Sequence, residues 1–317
     1  MSKRPEPILS VVVPLYNEAA SLPEFYSALK NVLDGLGLAY EIIFVNDGST
    51  DPSAEIVQAY KKDDGAVRLI SFSRNFGKEM ATTAGIHKAG GQATLILDAD
   101  GQHPVDRIPE FVARWRGGAK VVIGRRVGGR QTAFTKRLGY KLFYGVFRRL
   151  TGLRLHPDLS DFRLIDRAVQ VQFNQLTEHN RVTRGLIDWL GYERAYVPYT
   201  ENLRRHGTAT YSYSKLFKHA LDWAISLSIS PLYITAYIGA VVLPVATLLG
   251  LGMLTNFALG DPLNLHATGG AYLLVVALFL IGLLMVSQGI IGLYLSHIHT
   301  ETQQRPLYVI DQTNPEG

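Results

Sequence analysis

Residues 223–260 and 262–300 contain no Asp, Glu, Lys or Arg, whereas the 222 residues before them carry 31 Lys and Arg against 23 Asp and Glu. Within these stretches, 232–259 and 271–298 each exceed the roughly 20 apolar residues that cross about 30 Å of hydrocarbon. A buried helical hairpin is the alternative, but core helices rarely stay uncharged for so long. The chain is therefore expected to fold as a water-soluble domain over 1–208, a juxtamembrane amphipathic helix over 209–230, a two-helix transmembrane domain over 231–299 and a tail over 300–317. Asp261-Pro262-Leu263-Asn264 supplies the turn between the spans. Gly239, Gly250, Gly252, Gly282, Gly289 and Gly292 permit close helix packing and a homo-oligomer.

Charge sets the orientation. Positive segments stay on the cytoplasmic side, and the loop between the spans has one acid and no Lys or Arg. The large domain and both termini are thus expected to face the cytoplasm at the cell (inner) membrane. No cleavable signal is expected, because the apolar run at 8–13 is too short for a signal core and ends at Pro14. The absence of cysteine excludes disulfides, thiolate nucleophiles and Cys-ligated zinc, and it suits a reducing compartment.

Apolar runs rich in Val and Ile at 8–13, 40–45, 67–72, 93–97 and 120–123 are mostly separated by helix-length amphipathic segments. That alternation predicts an α/β domain, a mostly parallel, Rossmann-like sheet with helices on both faces. Ligands of such sheets bind at the carboxyl ends of the strands. The segments there are Pro14-Leu15-Tyr16-Asn17-Glu18, Asn46-Asp47-Gly48-Ser49, Arg74-Asn75-Phe76-Gly77-Lys78 and Asp98-Ala99-Asp100-Gly101-Gln102-His103-Pro104. Neither a G-x-G-x-x-G nor a P-loop occurs.

Asp98 and Asp100 are two apart, and in extended backbone that spacing points both carboxylates to one side. Two such groups repel unless a cation lies between them or one is protonated, and Mg²⁺ or Mn²⁺ on a diphosphate fits. Taken alone, the pair also reads as a turn cap. Asp47 likewise reads as a turn residue, with Ser49 or Asp51 as an N-cap. With Tyr16, Asn17 and Glu18 nearby, it also suits a nucleobase and ribose. His103, His156 and His206 lack close metal-ligand spacing and read as surface histidines, with His103 set apart by its place in the Asp-x-Asp loop.

Between Arg114 and Arg167 stand 14 Lys and Arg and 3 Asp, interleaved with aromatics. Over 135–150, Leu138, Leu142, Phe143, Val146 and Leu150 recur at helical intervals among basic residues, the pattern of an interfacial helix. Beside two expected spans, a lipid surface is the predicted partner and nucleic acid is not. Residues 211–230 read as a second such helix, feeding the first span through Trp223 and Pro231.

The strand-end segments resemble those of family 2 glycosyltransferases of GT-A fold, in Pro14-Leu15-Tyr16-Asn17-Glu18, Asn46-Asp47-Gly48-Ser49 and Asp98-Ala99-Asp100. The Arg74–Lys78 and Asp98–Pro104 segments, Asp161-Phe162-Arg163-Leu164-Ile165-Asp166-Arg167 and the paired spans resemble the polyisoprenyl-phosphate branch, which includes bactoprenol glucosyltransferases and dolichyl-phosphate mannose synthases. Two departures stand out: relatives usually have Leu at Gly101, and commonly Ser-Lys-Tyr near Ala209-Thr210-Tyr211. The Gln-x-x-Arg-Trp pattern of processive synthases is absent, since Phe111 precedes Arg114-Trp115. This favours single-sugar transfer.

The resemblance implies an inverting transfer of one sugar from a nucleotide diphosphate-sugar, UDP-glucose by default, to polyprenyl phosphate. It implies a metal, Mg²⁺ or Mn²⁺, at Asp98, Asp100 and Gln102, and donor binding by Pro14, Tyr16, Asn17, Glu18, Asp47, Lys78, Asp98 and Gln102. Asp100 and Asp161 are the implied catalytic residues. Asp161 takes the family's proposed base position, or it holds Arg163, a sugar hydroxyl or positive charge at the sugar. Arg125, Arg126, Arg137 and Arg204 are the choices for the lipid phosphate, because a guanidinium forks onto two phosphate oxygens, and Arg204, Arg205 or Lys215 stands as a substitute for the missing Lys. The alternatives are another lipid acceptor such as diacylglycerol, or a non-catalytic membrane scaffold derived from this fold.

Overall fold

The computed structural model describes residues 6–127, 159–179, 181–200 and 269–311, together with individual positions between 244 and 260. The chain divides into two units, one of 1–138, 155–210 and 305–317, the other of 139–154 and 211–304.

In the first unit a seven-stranded sheet has the order β3-β2-β1-β4-β6-β5-β7. Its strands are β1 (Leu9–Leu15), β2 (Tyr40–Asn46), β3 (Val67–Ser71), β4 (Ala93–Ile96), β5 (Val121–Arg126), β6 (Leu159–Asp166) and β7 (Arg194–Tyr199). β1 pairs in parallel with β2 and β4, β2 with β3, and β5 with β7, while β6 runs antiparallel between β4 and β5. The expectation of a mostly parallel α/β sheet holds. The five apolar runs are β1 to β5, and β6 and β7 add two strands not anticipated.

Among the described residues, six helices pack on this sheet: α1 (Leu22–Gly35), α2 (Ser53–Asp63), α3 (Lys78–Lys88), α4 (Ile108–Arg116), α5 (Arg167–Gln175) and α6 (Thr183–Trp189). α1 begins with proline in its first turn, where the missing N–H leaves no bond unmade, and buries Leu22, Phe25, Leu29 and Leu33 at helical spacing. These side chains join Leu9, Val11, Val13 and Leu15 of β1, whose alternate residue Val12 packs in a separate cluster on Ile86 of α3. Each fully buried Leu or Phe contributes about 1.5–3 kcal/mol. α3 buries a run of small residues, Ala81 to Gly85, and a Cβ at Gly85 would collide with Val12 Cγ1. The helix therefore lies close on β1, which sets Lys78, its first residue, over the carboxyl edge of the sheet.

In the second unit α7 (Gly269–Thr302) runs 34 residues without interruption. Several of its side chains, Val275, Leu278 and Val286 among them, lie outside the described set. Among the described residues no helix is long and apolar enough to cross a membrane. Most of the first expected span, 232–259, and both expected interfacial helices, 135–150 and 211–230, lie outside the described residues.

Candidate active site

The loops at the carboxyl ends of β1, β2 and β3 are stitched into one ledge. Asn17, at φ +57°, accepts the N–H of Thr50 at 2.8 Å and of Asp51 at 3.3 Å through Oδ1, while its own N–H donates to Ser49 Oγ at 3.0 Å. Glu18 N–H donates to Ser53 Oγ at 2.9 Å, and Ala19 N–H to Asp51 Oδ2 at 3.0 Å. Asp47 is 3% exposed and accepts Phe76 N–H at 2.7 Å and Gly77 N–H at 2.9 Å. Burial pushes its carboxyl up, against the pull of those amides and of Arg74. Gly48 permits this approach: at φ +67°, a Cβ would meet Arg74 C at 2.5 Å and Asn75 N at 2.7 Å.

Several sequence-predicted donor residues thus have structural work here. Asn17 and Asp47 bind loops together, and Pro14 is buried in β1, paired in register with Val45. Tyr16, by contrast, leaves 45% of its surface open beside the ledge, where an aromatic face is available to a planar base.

The electrostatic centre is Lys78. Its ammonium lies 2.7 Å from Asp98 Oδ1 and 3.1 Å from Asp161 Oδ2, tying α3 to the end of β4 and to β6. Burial in the cleft works against the ammonium, and the two carboxylates overcome it, holding the lysine well above its ordinary range. Burial likewise works to raise Asp161, but the charges of Lys78, Arg184 and Arg163 hold its carboxyl well below the usual range. Lys78 and Asp161 keep 46% and 36% of their side chains open, so this network lines an open cleft.

Period two along β6 sets Asp161 and Arg163 on one face. Both line a small cavity with Lys78, Glu79, Thr183 and Arg184. Arg163 is 2% exposed and donates to Asp188 Oδ1 at 2.9 Å, while its charge also acts on Asp161. Glu79 accepts Thr183 N–H at 2.8 Å, and burial and then the charge of Asp161 push its carboxyl up. Glu79, Arg184 and Asp188 were not anticipated. Only the place of Glu79 beside Lys78 gave a signal.

The Asp-x-Asp segment differs from its expected geometry. β4 ends at Ile96, so residues 98–100 are not an extended strand and alternation does not align the two carboxylates. Asp100 Oδ1 accepts Gln102 N–H at 3.0 Å across Gly101, which takes φ +73°, a conformation that glycine adopts without the strain a side chain would bring. Asp98 N–H donates to His103 Nδ1 at 3.1 Å. His103 is buried, correcting the surface reading, and its ring stacks on Phe162 at 5.2 Å. An accepting Nδ1 places the proton on Nε2. Arg125 and Arg126 stand exposed at the end of β5, and Arg126 Nε donates to Tyr199 Oη at 3.4 Å. Arg137, Arg204, Arg205, Lys215, His156 and His206 lie outside the described residues.

Among the described residues no group of three or more His, Cys, Asp or Glu side chains is gathered to hold a metal. Asp98 and Asp100 nevertheless offer hard oxygen donors, with the Gln102 amide close in sequence. That set fits a divalent cation that takes one or two carboxylates and completes its shell with phosphate oxygens and water. The Lys78 ammonium between Asp98 and Asp161 marks the same corner as a place that holds positive charge. A groove of about 550 Å³ beside the end of α4 lies at the opposite edge of the sheet and gathers none of these residues.

Comparison with known proteins gives the site its context. The profile of Glycosyl transferase family 2 matches residues 10–171. An uncharacterized glycosyltransferase of Synechocystis sp. is 37% identical over 304 residues, 95% of this chain and 94% of that one. A bactoprenol glucosyl transferase of Shigella phage SfII is 33% identical over 307 residues, 96% of this chain and 98% of that one. The solved structure of glucosyl-3-phosphoglycerate synthase from Mycobacterium tuberculosis in complex with Mn²⁺ and UDP-glucose aligns with TM-score 0.49 at 21% identity, over 70% of this chain and 78% of that one.

Proposed function

This chain belongs to glycosyl transferase family 2, and from that premise we propose that it transfers one sugar from a nucleotide diphosphate-sugar to a polyprenyl phosphate at the cytoplasmic face of a membrane. The observation that carries the reading is the convergence of Asp98, Asp161 and Lys78 at the strand-end cleft, with the exposed ring of Tyr16 following β1, the strand next to β4. The acceptor class is supported by relatives named bactoprenol glucosyl transferase that align over nearly the whole chain. UDP-glucose is the favoured donor.

In this reading an oxygen of the lipid phosphate attacks the anomeric carbon as the bond to the nucleoside diphosphate breaks, with inversion. Above its second pKa of about 6 the acceptor is already a dianion, so no proton has to leave it. Asp98, Asp100 and Gln102 are the residues to hold Mg²⁺ or Mn²⁺, which supplies Lewis-acid stabilisation of the departing diphosphate. Lys78 balances the carboxylates and turns toward diphosphate oxygens when donor enters. Tyr16 stacks on the base, and Arg125 and Arg126, with Arg137 and Arg204, receive the lipid phosphate. Asp161 stays anionic and faces the sugar.

Purified protein given labelled UDP-glucose and undecaprenyl phosphate should form a labelled lipid product, and Arg126→Ala should raise the acceptor KM about tenfold more than the donor KM. Losing one charge-assisted bond costs about 1.5–3 kcal/mol. Absence of product across UDP- and GDP-sugars with this acceptor, while diacylglycerol is glycosylated, would assign a different lipid.

Membrane attachment rests on the two uncharged stretches and on α7, which exposes Leu273, Leu274, Phe279, Ile281, Leu284, Leu295 and Ile298. Apolar surface on this scale marks a membrane or partner contact. The protein has no cysteine of its own. A cysteine placed at Asn264 should label with an impermeant reagent in intact cells while one at Ser2 should not, and the reverse pattern overturns the orientation.

A further inference from the structure

The tail that follows α7 is built into the edge of the sheet. Ile310 bridges Phe72 in antiparallel sense, with Ser73 N–H donating to Val309 O at 3.0 Å and Asp311 N–H to Ser71 O at 2.8 Å. β3 is the edge strand, so the tail pairs groups that would otherwise be left open. The start of the tail is fixed as well, since Arg305 O lies 2.6 Å from His179 Nε2.

Tyr308 touches the chain on both sides of Lys78. Its ring stacks on Phe72 at 5.0 Å and 15°, at the end of β3, and its hydroxyl lies 3.3 Å from His87 Nδ1, near the end of α3. Phe72 in turn meets Phe76 edge-on at 5.7 Å, and Phe76 N–H is one of the two amides on Asp47. The segment bracketed by Tyr308 thus carries both the loop that closes on Asp47 and the lysine that joins Asp98 to Asp161.

We propose that the C-terminal tail positions the donor half of the site, with Tyr308 as the positioning residue that sets the β3–α3 loop and Lys78. The proposal rests on reading that half as a nucleotide-sugar site. Tyr308 touches no reacting group; it acts through Phe72, Phe76 and the first turn of α3. Small misplacements of such a loop have large effects on binding and turnover.

The test uses the full-length protein in detergent with Mn²⁺, UDP-glucose and GDP-mannose as donor probes, and undecaprenyl phosphate. Tyr308→Ala should raise the donor KM and Kd about tenfold and leave the acceptor KM within about twofold. Tyr308→Phe keeps the stack and should restore donor binding to within about twofold of wild type. A folded Tyr308→Ala protein with unchanged donor affinity, or with equal shifts for both substrates, overturns the proposal. Coupling is reciprocal, so donor and Mn²⁺ should also slow hydrogen exchange over 305–311 in the wild type. Unchanged exchange there overturns it even if the alanine variant fails to fold. A wild type that binds neither donor overturns the nucleotide-sugar reading and this proposal together, whereas an unaffected variant of an active wild type overturns this proposal alone.

Discussion

Asp100→Ala is expected to lower sugar transfer by about 1,000-fold and to remove the metal-dependent part of nucleotide binding. The magnitude follows from the chemistry: Lewis-acid stabilisation of a leaving diphosphate supplies several kcal/mol, and about 4 kcal/mol corresponds to about a 1,000-fold change in rate. Asp100 sits in a turn that its own carboxylate shapes by accepting Gln102 N–H. Asp100→Asn retains an acceptor for that bond and separates loss of turn geometry from loss of charge. Both variants should fail in transfer, and calorimetry with UDP should show wild type and variants binding alike without Mn²⁺ and differing only with it. Transfer at full rate in excess chelator, or an Asp100→Asn enzyme as active as wild type, would remove the metal from this site.

How far this site could be read in advance depended on where each residue's partners lie in sequence. β1 to β5 were legible because apolar runs announce buried strands directly. β6 was not, because Asp161, Arg163 and Asp166 interrupt it with charge, and the groups that make this tolerable come from elsewhere: Lys78 at 3.1 Å from Asp161, Asp188 at 2.9 Å from Arg163, Trp115 at 2.8 Å from Asp166. A buried arginine reads as surface until its distant carboxylate is known. The strand-end motifs were visible as motifs, but their division of labour was not. Asp47 was assigned to a nucleotide and is enclosed by Phe76 and Gly77 amides, a use that depends on Gly48 letting two loops meet. Tyr308 carried no signal, since an aromatic residue in a short tail has no periodic context. Lys78 was read as a donor-side residue, and its double contact with carboxylates 20 and 83 positions away is a product of topology alone.

Asp161→Asn is expected to lower the single-turnover rate by about 100-fold, with the same loss at every pH from 5 to 8. The flatness is the informative part. A general base works best with a pKa near the working pH, whereas Asp161 is held well below the usual carboxylate range by Lys78, Arg184 and Arg163 despite the opposing effect of burial. It is therefore fully ionised throughout this window and poorly inclined to take a proton. A base role instead predicts a loss that shrinks above about pH 6, where the phosphate acceptor is a dianion unaided. An electrostatic role, in which the anion stabilises positive charge developing at the anomeric carbon, predicts no such trend. The stability sign is also fixed. A carboxyl with a depressed folded pKa contributes stability that is present above its unfolded value of about 3.9 and is lost as pH falls through the folded value. The asparagine variant should accordingly be less stable than wild type by a constant margin from pH 5 to 8, converging only in acid below about 3.9. Because Lys78 would then retain Asp98 alone, donor affinity should change little while turnover falls. Rates measured with metal saturation verified at each pH decide between the roles: a loss that fades with rising pH establishes Asp161 as a base, and a wild-type rate throughout removes it from catalysis.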